Sequence, residues 1–297
     1  IIGPNCLGIY DPYSGMDTLF LPEVKMLSSG REVVATPRPL PGQISLVSQS
    51  GGFGVAALDY MAGNMMGVRA FVSLGNRCDV DEHELLDFFQ QDEKTKVVLL
   101  YVEGLKSGRE FLDAARRFTK SKPIVALKSG RTEAGARAAA SHTAALAGVD
   151  KIYDAAFTQS GVVRAQTLEE FFDMGRALQF QEPALGNRVS IVTNAGGPGI
   201  IAADTCIESG LRVDPLSEVT LGKLKAMKAS GELLEIMTGT NPIDLSGQGT
   251  SAMFAKVLRI LMDDPEVDGV IVMAFHQAPP ILDDAVQAIA ETHKGYL

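Results

Sequence analysis

The stretch SLVSQSGGFGVAALD (45–59) returns 145 positions later as SIVTNAGGPGIIAAD (190–204). Ser, Val, three Gly, one Ala and the closing Asp coincide between the copies. Each copy passes from a short apolar run through a Gly-Gly turn into a pattern of helical period. A strand that enters a helix through such a turn opens a βαβ unit. Two copies in one chain require two related doubly wound α/β domains.

The segments around each copy agree. Short apolar runs bounded by turn residues predict strands at 43–49, 68–75, 96–104, 123–130 and 162–166. Helical patterns fill 54–65, 81–91, 108–120 and 150–161 between them. Strands that are apolar without alternation, each followed by a helix, form a parallel sheet covered on both faces. The pattern restarts with strands at 187–194, 211–214 and 267–275 and helices at 199–210, 217–229, 250–263 and 280–295. The expected fold is α/β, with two tandem flavodoxin-like domains at 43–180 and 187–297. QEPALGN (181–187) is the linker, and the Pro- and Gly-rich residues 1–42 form an extended connector.

With 297 residues, 46% of them hydrophobic and 21% charged, the chain has soluble globular composition and room for two domains. A net charge of −9 offers no basic surface to nucleic acid. Cys6, Cys78 and Cys206 make no CxxC pair, which argues against a zinc site or disulfide framework and for a reducing, cytoplasmic setting. No apolar run is long enough to span a membrane. The first residues lack both an initiator methionine and a signal-peptide pattern, and the last helix leads to no further strand. Both ends read as those of a piece of a longer chain.

Each glycine turn sets backbone N–H groups and the positive end of a helix dipole where an anion can sit. The hydroxyls of Ser48 and Ser50, the backbone at Gly51 and Gly52, and the Asn194 amide with Gly196 and Gly197 suit a compact phosphate. Gly52-x-Gly54-x-x-Ala57 and Gly197-x-Gly199-x-x-Ala202 also fit the looser dinucleotide fingerprint. That fingerprint wants an acid at the end of the second strand. VRAFVSLGN has none there, and the second copy offers Asp214 but carries Pro198 inside its turn. No GxxxxGK[ST] occurs. The plain alternative is a turn whose glycines serve only tight packing of helix on strand.

His142 stands in RAAASHTAAL (137–146), read as a small-residue loop beyond the fourth strand. Ligands in such sheets bind outside the carboxyl ends of the strands. There Glu103, closing KVVLLYVEG, can hold the ring through Nδ1 and leave Nε2 as a nucleophile. The competing reading is a surface histidine without a role. His83, His276 and His293 read as solvated. Asp79, Asp81, Glu82 and Glu84 read as first-turn helix acids, and no metal site is expected.

GPNCLG (3–8), SLVSQSGG (45–52), VSLGNRCDVDEHELLDF (72–88), YVEG (101–104), KPIVALKSGRTEAGARAAASHTAALAG (122–148) and VTNAGGPG (192–199) together resemble the ADP-forming acyl-CoA synthetases, relatives of succinyl-CoA synthetase. The resemblance runs essentially end to end. It implies the reaction acyl-CoA + ADP + phosphate ⇌ carboxylic acid + CoA + ATP. By this resemblance His142 is the phosphorylated histidine and Glu103 its supporting glutamate. Ser48, Ser50, Gly51 and Gly52 form one phosphate-binding helix N-terminus, and Asn194, Gly196 and Gly197 a second. Asn5 and Cys6 end a CoA-binding domain beside the active site, so residues 1–42 become its tail plus connector. Coenzyme A, phosphate, and ADP or ATP with Mg²⁺ are implied, the nucleotide lying on an ATP-grasp domain or subunit that is absent here. So is an assembly of more than one chain. Two rivals remain: an acyl-CoA-sensing regulatory region of a protein lysine acetyltransferase, and a dinucleotide-binding domain pair.

Overall fold

The computed structural model describes residues 1–143, 150–181, 183–281 and 284–295, with side chains to residue 138 in the first stretch. The chain divides into two units, Ile1–Pro183 and Ala184–Leu297. Among the described residues no helix is long and apolar enough to cross a membrane.

The first unit begins with β1 (Ile9–Asp11), β2 (Met16–Asp17), β3 (Val24–Met26) and β4 (Glu32–Val34). It continues with β5 (Pro41–Ser48), α1 (Gly51–Gly63), β6 (Val68–Ser73), α2 (Glu82–Gln91), β7 (Val97–Val102), α3 (Gly108–Phe118) and β8 (Ile124–Lys128). α4 (Glu133–Thr143), α5 (Asp150–Ser160), β9 (Val163–Ala165) and α6 (Leu168–Leu178) complete it. The main sheet has the order β2-β1-β6-β5-β7-β8-β9. The run β6-β5-β7-β8-β9 is parallel throughout, in the flavodoxin-like winding that places a ligand crevice where strand order reverses. That reversal is at β5, between β6 and β7. Residues 9–11 do more than connect, because β1 pairs antiparallel with β6, Ile9 opposite Val72.

The strands are apolar on consecutive residues because both faces are buried. Val47, Val72 and Leu100 pack against Phe89, Phe111, Phe118 and Phe157 on one side. Leu46, Phe71 and Leu99 pack against Leu58, Met61, Phe171 and Phe172 on the other. Each such buried side chain contributes about 1.5–3 kcal/mol. Asp81 starts α2 with a capping box: its side chain caps the first turn while Glu84 Oε2 accepts the Asp81 N–H at 2.7 Å.

Two expectations are corrected in this unit. Residues 133–143 are helical, not a loop. Ala and Glu are the best helix formers in the run, and Thr132 Oγ1 accepts the Gly135 N–H at 3.1 Å to start the first turn. Helix α6 is not among the expected helices, although Thr167 caps it by accepting the Glu170 N–H at 3.1 Å.

The second unit holds β10 (Val189–Thr193), α7 (Gly196–Glu208), α8 (Glu218–Ala229), β11 (Ile243–Asp244), α9 (Ser251–Met262), β12 (Gly269–Met273) and α10 (Ala285–Lys294). Its parallel sheet has the order β11-β10-β12, the same placement of first, second and third strands as β6-β5-β7. The second strand is not the expected 211–214, which contributes only an isolated bridge from Arg212 to Arg188. The Asn241 side chain explains the exchange. It accepts the Ile191 N–H and donates to the Val189 and Asp214 carbonyls, each at 2.9 Å. Those β10 groups are no longer free for a strand from 211–214, and Asn241 leads directly into β11.

Arg188, just before β10, grips Asp268 just before β12 with two side-chain bonds of 2.8 and 2.7 Å, and its own N–H adds a third at 2.9 Å. These bonds hold the Asp268 carboxyl down at about 2. A depressed carboxylate stabilises above its unfolded value and loses that contribution as pH falls through the folded one. Carboxyl ¹³C NMR should therefore find Asp268 titrating near 2, and Arg188→Gln should return it towards the ordinary Asp range. An unmoved titration in the variant would remove Arg188 as the cause.

Candidate active site

The β5–α1 turn lies at the carboxyl edge of the first sheet. Ser48 is fully buried, and its hydroxyl donates to the Ser50 carbonyl at 2.7 Å. Ser50 is the N-cap of α1, in extended conformation, and accepts the Phe53 N–H at 3.2 Å. The two hydroxyls thus shape the turn. Gly51 and Gly52 are the first residues of the helix, and their N–H groups have no intrahelical acceptor. Gly54 lets the helix close on the sheet, since a Cβ there would stand 2.6 Å from the Phe71 ring.

Between the serines, Gln49 points into the protein and is 6% exposed. Its Oε1 accepts the N–H groups of Glu103 at 2.7 Å and Gly104 at 3.1 Å. Its Nε2 donates to the Gly104 carbonyl at 2.8 Å and to Glu82 Oε1. Glu82, 2% exposed, also receives the Arg77 guanidinium at 2.9 and 3.1 Å. Arg77 adopts a left-handed backbone (φ 51°) and donates to the Gly104 carbonyl at 2.7 Å. Burial pushes the Glu82 carboxyl up to about 8, Asp81 adding to the rise and Arg77 opposing it. Glu82 is therefore more than the first-turn acid expected of it, although Asp81 does cap α2.

The structure brings Asn5 and Cys6 to the same edge. The Asn76 N–H donates to the Pro4 carbonyl at 2.9 Å and the Cys78 N–H to the Gly3 carbonyl at 2.8 Å. Leu7 lies 3.8 Å from where a Gly51 side chain would begin. Glu103 follows β7 and is half-buried. Its charge acts on Lys128 at the end of β8, whose ammonium lies 4.7 Å from the centre of the Tyr153 ring and donates to the Ser129 carbonyl. Burial pushes the Lys128 pKa down. His142 falls on α4, but its side chain lies outside the described residues.

In the second unit, Gly196 and Gly197 open α7 as Gly51 and Gly52 open α1. Its N-cap is Ala195, which offers no side-chain oxygen. Pro198 occupies the position equivalent to Phe53 and has no N–H to satisfy. The Asn194 amide is committed elsewhere: it donates to the Phe275 carbonyl at 3.2 Å and accepts the Phe275 N–H at 2.8 Å. An anion here would meet the glycine amides rather than Asn194. It would also meet Asp244, whose carboxylate oxygen comes within 2.8 Å of a Cβ placed on Gly196.

The dinucleotide alternative has no support from either turn. β6 ends at Ser73 without a carboxylate, and Asp214 is not at the end of a strand. Gln49, Arg77 and Asp244 were not among the candidate residues. The one local signal was a long amide between two serines in SQSGG; its partners are 33 to 55 residues away.

Comparison with known proteins places these features in a wider group. Residues 41–178 match the succinyl-CoA ligase like flavodoxin domain. The chain is 38% identical over 274 residues to the acetate–CoA ligase [ADP-forming] I subunit alpha of Pyrococcus furiosus, covering 92% of this chain and 55% of that one. It is 34% identical over 300 residues to the 4-hydroxybutyrate–CoA ligase [ADP-forming] of Nitrosopumilus maritimus, covering 100% and 40% respectively. A solved structure, the dinucleotide forming acetyl-coenzyme A synthetase 1 of Ca. Korarchaeum cryptofilum in complex with phosphate and ADP, superposes with a TM-score of 0.85 at 32% identity. That match covers 99% of this chain and 60% of the other. The chain thus spans little more than half the length of the Pyrococcus relative.

Proposed function

Because the chain belongs to the succinyl-CoA ligase-like family of ADP-forming acyl-CoA ligases, we propose that it is the phosphohistidine-bearing part of an enzyme interconverting acyl-CoA, ADP and phosphate with a carboxylic acid, CoA and ATP. The observation that carries this reading is the pairing at one sheet edge of the Gly51–Gly52 helix start with Glu103, held there by Gln49. In the proposed cycle, phosphate displaces CoA from the thioester to give an acyl phosphate. His142 Nε2 then attacks the phosphorus, the P–O bond breaks and the carboxylate leaves. Glu103 accepts the Nδ1–H in a hydrogen bond, which aims the ring, leaves the Nε2 lone pair free to attack and stabilises the positive charge that develops on the ring. The Gly51 and Gly52 amides hold the phosphoryl oxygens. ADP finally takes the phosphoryl group as the P–N bond breaks.

The first helix start fits phosphate, because no side chain crowds Gly52; at the second, Gly197 is open but the Asp244 carboxylate stands beside Gly196 and opposes an anion. Gly196 and Gly197 form the second phosphate turn in this proposal, without the Asn194 amide. Asn5 and Cys6 would border the CoA thioester, which supplies the activated acyl carbon. Among the described residues no three His, Cys, Asp or Glu side chains form a metal cluster. The Mg²⁺-nucleotide is assigned to an ATP-grasp partner domain or subunit, and the working enzyme to an oligomer, because the Pyrococcus relative is by name one subunit of its ligase. Relatives are named for acetate and for 4-hydroxybutyrate.

The test is phosphoryl labelling of the full-length protein with its partner, using [γ-³²P]ATP and Mg²⁺. The expected result is a protein-bound label that is acid-labile and base-stable and is discharged by ADP. No label on the wild-type protein overturns the proposal.

A further inference from the structure

The Gln49 amide uses its full capacity: two bonds to each end, all to groups inside the protein. A buried amide with fewer partners would be costly, and a smaller or apolar residue would fill the site without this matching. Its orientation is set by the partners, because only Oε1 can accept the two N–H groups of Glu103 and Gly104. Gly104 is held a second time through its carbonyl, which receives both Gln49 Nε2 and Arg77. The Glu82 carboxylate in turn ties Gln49 to Arg77. The peptide of Glu103 is thus clamped to the turn that carries Gly51 and Gly52.

We propose that Gln49 is a positioning residue for Glu103, braced by Glu82 and Arg77, fixing the distance between the carboxylate and the phosphate-binding turn. This rests on the reading of Glu103 as the partner of the phosphorylated histidine. Displacing a reacting group by about 1 Å can cost on the order of 100-fold in rate, so the clamp should act on turnover rather than on substrate binding.

Gln49→Glu separates a clamp from a merely structural residue. A neutral carboxyl can donate to Glu82 or to the Gly104 carbonyl as Nε2 does and still accept the two N–H groups. An ionised one can only accept: it loses the donations to Glu82 and to the Gly104 carbonyl and stands beside Glu82, whose own carboxyl is already pushed up, with Arg77, bonded to both Glu82 and Asp81, as the neighbouring cation. In the full-length protein with its partner, labelling rate, kcat and the KM for acyl-CoA are measured from pH 5.5 to 8.5. The expected Gln49→Glu result is a kcat about 10- to 100-fold low at pH 8 that recovers towards pH 5.5, with KM within about twofold of wild type. Gln49→Ala should be low at every pH, without recovery. If neither variant folds, Arg77→Lys, which loses the forked donor set, should lower kcat with KM unchanged. Wild-type pH profiles in Gln49→Glu, or an unchanged kcat in Arg77→Lys, overturn the clamp while the labelled wild type leaves the proposed function standing. A wild type that takes no label overturns the proposed function and the clamp with it.

Discussion

Full-length protein carrying His142→Ala should lose ATP formation from acyl-CoA, ADP and phosphate by at least about 10³-fold, the scale expected when a covalent nucleophile is deleted. The first half-reaction should survive. Phosphate attack on the thioester uses no nucleophile from the chain, so CoA release and acyl phosphate should still be detected, while the protein takes no label from ATP. Folding should not suffer from the change in helix preference, because position 142 lies on α4 and Ala favours helix over His by about 0.5 kcal/mol. Two assays decide it: CoA release with a thiol reagent and ATP formation under the same conditions. Continued ATP formation, or loss of both half-reactions together in a folded variant, would remove His142 from its assigned place.

The second large effect concerns stability. Gly75 has φ +57°, and a Cβ on it would stand 2.4 Å from the carbonyl oxygens of both Pro4 and Asn5. Both obstacles are backbone, so neither can rotate away. Gly75→Ala must therefore accept a left-handed conformation, at about 1–2 kcal/mol, and push the Pro4–Asn5 turn off the sheet edge. That would break the bonds from Asn76 and Cys78 to Pro4 and Gly3, at about 1 kcal/mol each. A total near 3 kcal/mol corresponds to a fall in thermal midpoint of roughly 6–12 °C for a unit of this size. Gly15→Ala is the control: φ is +74° but no atom lies within 4 Å of its Cβ, so only the conformational cost applies. Equal midpoints for the two variants would show that the collision is relieved for free and that the turn is not fastened as described.

Much of the architecture was legible because it depends on neighbours in sequence. Apolar runs without alternation became β5 to β8, buried on both faces, and the shorter 162–166 run became the edge strand β9. Gly-Gly after a strand became the start of α1 and of α7. Asp81 followed by Glu84 became a capping box. In the site, the serines and glycines of SQSGG and the glutamate of YVEG were placed at the sheet edge by the same local patterns.

One feature escaped although it was local, and the others because long-range partners decided them. The alanine-rich run around His142 reads as clearance for a loop, yet helix propensity wins through Thr143. The run 211–214 has the look of a strand, but the Asn241 side chain takes the β10 bonds that it needed. Asn194 resembles a phosphate ligand until Phe275 occupies its amide. Glu82 looks like any acid in a first turn until Arg77 and Gln49 close over it.

The sequence alone determined two doubly wound α/β repeats, each with a Gly-Gly helix start, because strand period, turn chemistry and capping act over a few residues. Only the tertiary structure decided which polar side chains remain available to a ligand and which are consumed in holding the site. Hydrogen-bonding capacity is finite and is claimed by whatever the fold brings within about 3 Å. For Gln49 those claimants are Glu82, Glu103 and Gly104, three residues that become its neighbours only when β5, β7 and α2 meet at the edge of one sheet.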